Sequence, residues 1–253
     1  MLIIRAQYGQ EAFYAVLEGE TAYPLRGLPY ETLEKDGRAL PLAKLRLLAP
    51  VQPSKVVAVG LNYLDHIKEM NDPMPDEPVI FLKPPSAVIG PEEAIVRPKR
   101  SSRVDYEAEI AAVIGKRCKG LSYDQAKEAI FGFTCCNDVT ARDLQPIDGQ
   151  WTRAKGFDTF APIGPVINTQ LDPANLTIRS ILNGRVCQDG NTNMMMRDPY
   201  DLVAFASSVM TLEPGDVVTL GTPEGVGPMQ AGDIIEIEIQ GIGVLRNSVR
   251  DEA

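Results

Sequence analysis

Residues 104–115 read VDYEAEIAAVIG. The valines, tyrosine and isoleucines are those of a buried strand, yet Glu107 and Glu109 stand two positions apart within it. Alternate residues of a strand share a face, so Asp105, Glu107, Glu109, Ala111 and Val113 point one way. Val104, Tyr106, Ala108, Ile110, Ala112 and Ile114 point the other and form core. The first face runs from acidic to apolar, so the strand is covered on both sides at its Ala111 end and opens at the glutamates. Two ionised carboxylates there repel, and burying either alone costs several kcal/mol or raises its pKa. A divalent cation removes the conflict. Oxygen ligands with positions left for water or substrate suit Mg²⁺ or Mn²⁺, whereas Ca²⁺ usually takes more ligands. On its own the pair also suits a half-solvated edge strand. A third carboxylate shifts the balance: FTCCNDVTARD at 133–143 is another apolar run, ending in Asp138 just before a polar stretch.

The flanking sequence predicts an α+β, β-rich fold. EAFYAVLEGETAYPL at 11–25 is a hairpin signal around Glu18-Gly19-Glu20, and LAPVQPSK at 48–55 reads as a linker. These place a small N-terminal β lobe at 1–50 and a larger domain at 51–253. KVVAVG at 55–60 is a buried strand candidate. LNYLDHIKEMNDPMPDEP at 61–78 is a loop with one or two helical turns near its start. Ser122 with Gln125 has capping-box spacing and starts a short helix; Asp198 followed by Pro199 starts another over 198–210. Near the C-terminus, DVVTLG, DIIEIEIQ and GVLRNSV are strands. In DIIEIEIQ, Ile235, Ile237 and Ile239 alternate with Glu236, Glu238 and Gln240, as in a sheet with one wet face. The 21 glycines and 20 prolines fall mostly at turns, against a helical bundle or a regular βαβ array.

Composition excludes several classes. The 253 residues, 44% of them hydrophobic, can bury a substantial core without staples. The net charge is −9 and the longest basic block is RPKR at 97–100, so a nucleic-acid footprint is missing and an anionic membrane would be repelled. No run approaches the roughly 18 apolar residues of a membrane span, and the N-terminus is short of a signal-peptide core. A soluble, cytoplasmic protein is expected. Cys118, Cys135, Cys136 and Cys187 form no C-x-x-C and read as reduced core residues. His66 is the single histidine, which excludes sites built on two or three imidazoles.

Together, E-x-E at 107–109, NDVTARD at 137–143, W-x-x-A-K-x-F at 151–157 and GTPEGVGP at 221–228 resemble the motif series of the fumarylacetoacetate hydrolase family. GLNYLDH at 60–66 and FLKPPSAV at 81–88 extend the resemblance over about residues 50–250, nearest to its acylpyruvase and oxaloacetate decarboxylase branch. The resemblance implies a mixed β-sheet roll or distorted barrel, a homodimer, and a Mg²⁺ or Mn²⁺ held by Glu107, Glu109 and Asp138. His66 and Glu69 lie three apart, on one side of a helical turn, and match the family's catalytic histidine and its partner glutamate. Lys155 matches a lysine that faces substrate and metal, placed to stabilise an enolate oxygen. Arg142 and Gln145 match pocket positions; Arg142 can pair a substrate carboxylate or bridge Asp143 or Asp138 structurally. Gly221 and Thr222 match donors to the substrate carboxylate.

The implied activity is a metal-dependent one on small 2-oxo acids, hydrolysing an acylpyruvate-type C–C bond through a metal-stabilised enolate with a water activated by His66 and Glu69. Oxaloacetate decarboxylation or tautomerisation, and isomerisation of 2-hydroxyhepta-2,4-diene-1,7-dioate, would use the same site. A non-catalytic cation-binding β module is the alternative outside enzymology, but it needs none of His66, Glu69 and Lys155. Residues 63–77 are expected to act as a lid.

Overall fold

Strand Ala108–Ile114 lies inside a twelve-stranded mixed sheet, between Ile130–Asn137 and Val217–Thr219 and antiparallel to both. The structure, a computed structural model, describes every residue except Asp72, which falls within the expected lid. The sheet is an open path. Beyond Ile130–Asn137 it continues through Ala161–Asn168 and Leu2–Tyr8 to the hairpin Glu11–Glu18 and Thr21–Pro24, then Leu40–Pro41. Beyond Val217–Thr219 it continues through Val56–Gly60 to Val79–Lys83. A five-stranded sheet, in the order Arg185–Asn191, Thr177–Leu182, Ile234–Ile239, Gly243–Asp251, Ile95–Arg97, covers one face. The fold is thus α+β and β-rich, with mixed sheets that do not close into a barrel.

Both faces of Ala108–Ile114 are buried, as the apolar alternation predicts. Ala108, Ile110, Ala112 and Ile114 share a core with Ile235, Ile237 and Ile239 of the five-stranded sheet and with Leu202, Val203 and Ala206 of helix Pro199–Val209. Ala111 and Val113 pack on the other side with Val56, Val217 and Ile163, and with Ile3, Tyr14 and Val16 from the N-terminal strands. The N-terminal strand Leu2–Tyr8 extends this same sheet, pairing Leu2 with Asn168 and Ile3 with Ile167. Cys135 and Cys136, neighbours in sequence, sit in these two different cores, and all four cysteines are free thiols.

The stretch 104–115 is not one strand. It divides into Val104–Tyr106, which joins Thr140–Ala141 and Gly227–Pro228 in a three-stranded sheet, and Ala108–Ile114 in the large one. Glu107 is the joint. Its N–H donates to the Asn137 side chain at 2.9 Å rather than to a ladder carbonyl, and its carbonyl accepts from Asp138 N–H at 2.9 Å. The switch between sheets therefore brings the backbones of two acidic residues together.

Local sequence sets the short elements around this joint. Ser122 and Gln125 form the reciprocal capping box at Tyr123–Ala129, and the Asp198 carboxylate accepts from Tyr200 and Asp201 N–H at 2.8 and 3.0 Å. Helix Leu64–Met70 ends at Asn71 in the left-handed region, a conformation asparagine tolerates. Asn62 anchors its start, donating to Leu220 C=O at 2.8 Å and accepting from Arg197 N–H at 3.0 Å.

Candidate active site

Glu107, Glu109 and Asp138 are buried, and each offers a carboxylate oxygen within 4.8 Å of the other two. Glu107 comes from the sheet joint, Glu109 from the following strand and Asp138 from the residue after Ile130–Asn137, so one strand position and two positions flanking paired strands define the cluster. Lys155 Nζ, on the four-residue helix Thr152–Lys155, donates to Glu107 Oε2 at 2.8 Å and Asp138 Oδ2 at 2.6 Å. Arg142 donates from Nη2 to Glu107 Oε1, from Nε to Asp105 Oδ2 at 2.9 Å and from Nη1 to Gln145 Oε1 at 2.7 Å. It thus bridges Asp105 and Glu107, and neither Asp143 nor Asp138. Asp143 instead accepts from Ser101 and Ser102.

The electrostatics fit a divalent cation. Burial pushes Glu109 up to about 8, and the charges of Asp138 and Glu107 push the same way. Burial works against ionisation of Glu107 too, but Lys155 and Arg142 outweigh it and hold that carboxyl well below the usual range. Protein cations therefore serve Glu107 and leave Glu109 under-compensated. The donor set is all oxygen and anionic, which suits Mg²⁺ or Mn²⁺ rather than a metal that prefers nitrogen or sulfur.

His66 is 7% exposed and its Nδ1 lies 2.9 Å from Glu69 Oε2, the one-turn pairing expected for residues 66 and 69. Glu69 Oε1 accepts from Gly225 N–H at 3.0 Å, tying the helix to the GTPEGVGP loop. Gly221, at φ +89° in that loop, donates its N–H to Glu109 Oε2 at 2.9 Å, and a Cβ there would stand 2.8 Å from Asn62 Cβ. Thr222 Oγ1 accepts from Gln188 Nε2 at 2.8 Å. Every residue singled out in the sequence lines one cavity of about 30 Å³, apart from Glu69, which stands behind His66.

The geometry places a histidine–carboxylate pair over an acidic triad, and the family comparison agrees with the motifs that led to it. The profile of the fumarylacetoacetate (FAA) hydrolase C-terminal domain matches residues 55–250. The chain belongs to this family. A second profile, an Rv2993c-like N-terminal one, matches residues 1–50. The solved structure of 2-hydroxyhepta-2,4-diene-1,7-dioate isomerase from Mycobacterium marinum is 46% identical with TM-score 0.94, covering 100% of this chain and 99% of that one. Oxaloacetate tautomerase FAHD2A, a mitochondrial protein of Homo sapiens, is 45% identical over 83% of this chain and 71% of its own. Maleylpyruvate hydrolase from Sphingobium sp. SYK-6, solved with manganese(II) and pyruvate, is 30% identical with TM-score 0.82 and full coverage of both chains.

Four residues of the site carried no individual signal in the sequence. Lys83 is fully buried and donates to Asp138 Oδ1 and to Val139 C=O. Asp105, also fully buried, accepts from Arg103 and Arg142. Gln188 accepts from Ala108 N–H at 2.9 Å and donates to Thr222 and Pro223, joining the loop to the strand that carries Glu109. Trp151 closes the cavity wall against Gly60, where a Cβ would meet the indole at 2.5 Å. Lys83 and Trp151 lie inside quoted motifs, yet a lone lysine or tryptophan there reads equally as surface or core.

Proposed function

We propose that the protein catalyses proton transfer on a small 2-oxo acid, interconverting keto and enol forms by tautomerisation or double-bond isomerisation. The carrying observation is that His66, backed by Glu69, opens into the same cavity as Glu107, Glu109, Asp138 and Lys155. Glu69 fixes Nδ1 of the imidazole as the donor, which leaves Nε2 to take and return the proton at the carbon beside the carbonyl. Mg²⁺ or Mn²⁺ held by the three carboxylates would supply Lewis acidity toward the 2-oxo acid. Lys155 brings an ammonium to the same oxygens and stabilises the developing enolate. The Thr222 hydroxyl oxygen accepts from Gln188, so its proton is left for a substrate carboxylate, whereas Gly221 N–H already serves Glu109. Trp151 and Met70 wall the cavity.

The relatives named for tautomerisation and isomerisation, at 45% and 46% identity, support this reaction over others of the family. Hydrolysis of an acylpyruvate-type C–C bond is the second reading. It is favoured by the hydrolase relative at 30% identity and by a cavity the size of about one water beside His66. A Mg²⁺-supplemented panel of oxaloacetate in both tautomers, 2-hydroxyhepta-2,4-diene-1,7-dioate, acetylpyruvate and fumarylpyruvate separates the two. Turnover of the enols without C–C cleavage supports proton transfer; pyruvate release from the acylpyruvates supports hydrolysis. A homodimer acting in the cytoplasm goes with either reading, and sedimentation tests the dimer.

A further inference from the structure

Each carboxylate of the triad has one oxygen committed to a donor outside the cluster's centre. Glu107 Oε1 accepts from the Thr140 hydroxyl at 3.0 Å and from Arg142. Asp138 Oδ1 accepts from Lys83, and Glu109 Oε2 accepts from Gly221 N–H at 2.9 Å. The oxygens that remain are Glu107 Oε2, Asp138 Oδ2 and Glu109 Oε1; Lys155 bridges the first two. Two of the three committed oxygens, those of Asp138 and Glu107, depend on two fully buried residues to which the reaction gives no part. Lys83 is anchored a second time by Val139 C=O at 3.1 Å, which holds its ammonium beside Asp138 Oδ1. Asp105 accepts from Arg103 Nε at 2.9 Å and Arg142 Nε at 2.9 Å, and with Gln145 it fixes the guanidinium plane against Glu107 Oε1.

We infer that Lys83 and Asp105 are positioning residues that confine Asp138 and Glu107 to one-oxygen ligation, and that they thereby set the site's preference for a small octahedral cation over Ca²⁺. Mg²⁺ takes six oxygens at about 2.0–2.1 Å, whereas Ca²⁺ takes six to eight at about 2.3–2.6 Å and often binds both oxygens of one carboxylate. A triad in which each carboxylate offers a single oxygen satisfies the first and starves the second. Releasing either committed oxygen allows a two-oxygen bite and raises the ligand count. The buttresses come from two places: Lys83 from the edge strand Val79–Lys83, Asp105 from Val104–Tyr106, the strand that leads into Glu107.

The inference rests on the metal-binding reading above, and one titration series tests each separately. Mn²⁺ and Ca²⁺ dissociation constants are measured for the wild type, Asp105→Asn and Lys83→Met, using the electron paramagnetic resonance of free and bound Mn²⁺ with Ca²⁺ as competitor. The wild type is expected to bind Mn²⁺ at least about 10-fold more tightly than Ca²⁺. Each variant is expected to narrow that ratio by about 10-fold or more, the scale on which outer-shell partners act, with an altered bound-Mn²⁺ spectrum. Asp105→Asn is nearly isosteric, and it decides the matter alone if Lys83→Met does not fold. Affinities that move in step, leaving the ratio within about 3-fold of wild type, overturn the positioning role and leave the metal site standing. A wild type that binds neither cation overturns both.

Discussion

At the scale of single residues, Glu109 is the group under most electrostatic tension. Burial and the charges of Asp138 and Glu107 push its carboxyl up and favour the protonated form in the metal-free protein, so cation binding should release a proton. Metal affinity should therefore climb as pH rises to about 8 and level off above it, with proton release at pH 7 measurable by calorimetry in buffers of different ionisation enthalpy. The same shift has a stability sign. Between the ordinary carboxylate range and about 8 the native state binds more protons than the unfolded chain, so the metal-free protein should lose stability as pH rises through that window. Thermal unfolding with and without Mg²⁺ checks this, and saturating metal should flatten the slope. Glu109→Gln should abolish the pH dependence and weaken Mn²⁺ binding by about 100-fold or more, beyond the outer-shell scale. Glu107 and Glu109 stand out in the sequence because like charges in an apolar strand demand an explanation, whereas Asp138 enters through the NDVTARD motif. Lys83 does not stand out, since a charge neutralised by a partner distant in sequence leaves no local trace: Asp138 lies 55 positions from Lys83. Asp105 shares the acidic face with the glutamates, but its contact with Arg142, 37 positions away, is not readable there.

At the scale of elements, alternation marked 104–115 and DIIEIEIQ as strands, and it correctly assigned both faces of 108–114; Ala161–Asn168 and Thr177–Leu182 carried no such signal. It could not reveal that the strand changes sheets at Glu107, because a chain that crosses from one sheet to another keeps its period of two. The change matters because it substitutes the Asn137 side chain for a ladder partner and draws Asp138 alongside. Helix Leu64–Met70 is the other decisive element. It carries His66 and Met70 into the wall of a cavity of about 30 Å³, and its movement on substrate binding is open to direct test. Hydrogen exchange across residues 63–77 should slow when oxalate and Mg²⁺ are added together; equal protection in both states would contradict a lid. Glu69→Ala should lower kcat about 100-fold or more while leaving Mn²⁺ affinity unchanged, since Glu69 touches His66 and Gly225 but no member of the triad. Gly60→Ala forces the Trp151 ring away and should cost about 10-fold or more in kcat/KM through misplaced substrate, again without altering metal affinity.

At the scale of the whole molecule, the site depends on continuity. The N-terminal strands contribute Ile3, Tyr14, Val16 and Leu25 to the core that backs Ala111 and Val113, two and four residues beyond Glu109. The prolines of LAPVQPSK suggest a linker near residue 50, but the core shared across it is a long-range fact that no local pattern encodes. We expect a single cooperative unfolding transition, and a fragment beginning at residue 51 that fails to fold, because removing Leu2–Tyr8 strips the edge of Ala161–Asn168 and uncovers Ile163 and Ile167. Among the described residues no helix is long and apolar enough to cross a membrane. The central claim is that one cation site and one histidine divide the chemistry between them. Its most direct test is the enol-to-keto conversion of oxaloacetate, followed with and without Mg²⁺ in the wild type, Glu107→Gln and His66→Asn, with Mn²⁺ binding measured on the same samples. Turnover should require Mg²⁺ and vanish in both variants, while Mn²⁺ binding is lost only in Glu107→Gln; turnover that survives in a Glu107→Gln protein unable to bind metal would contradict the account.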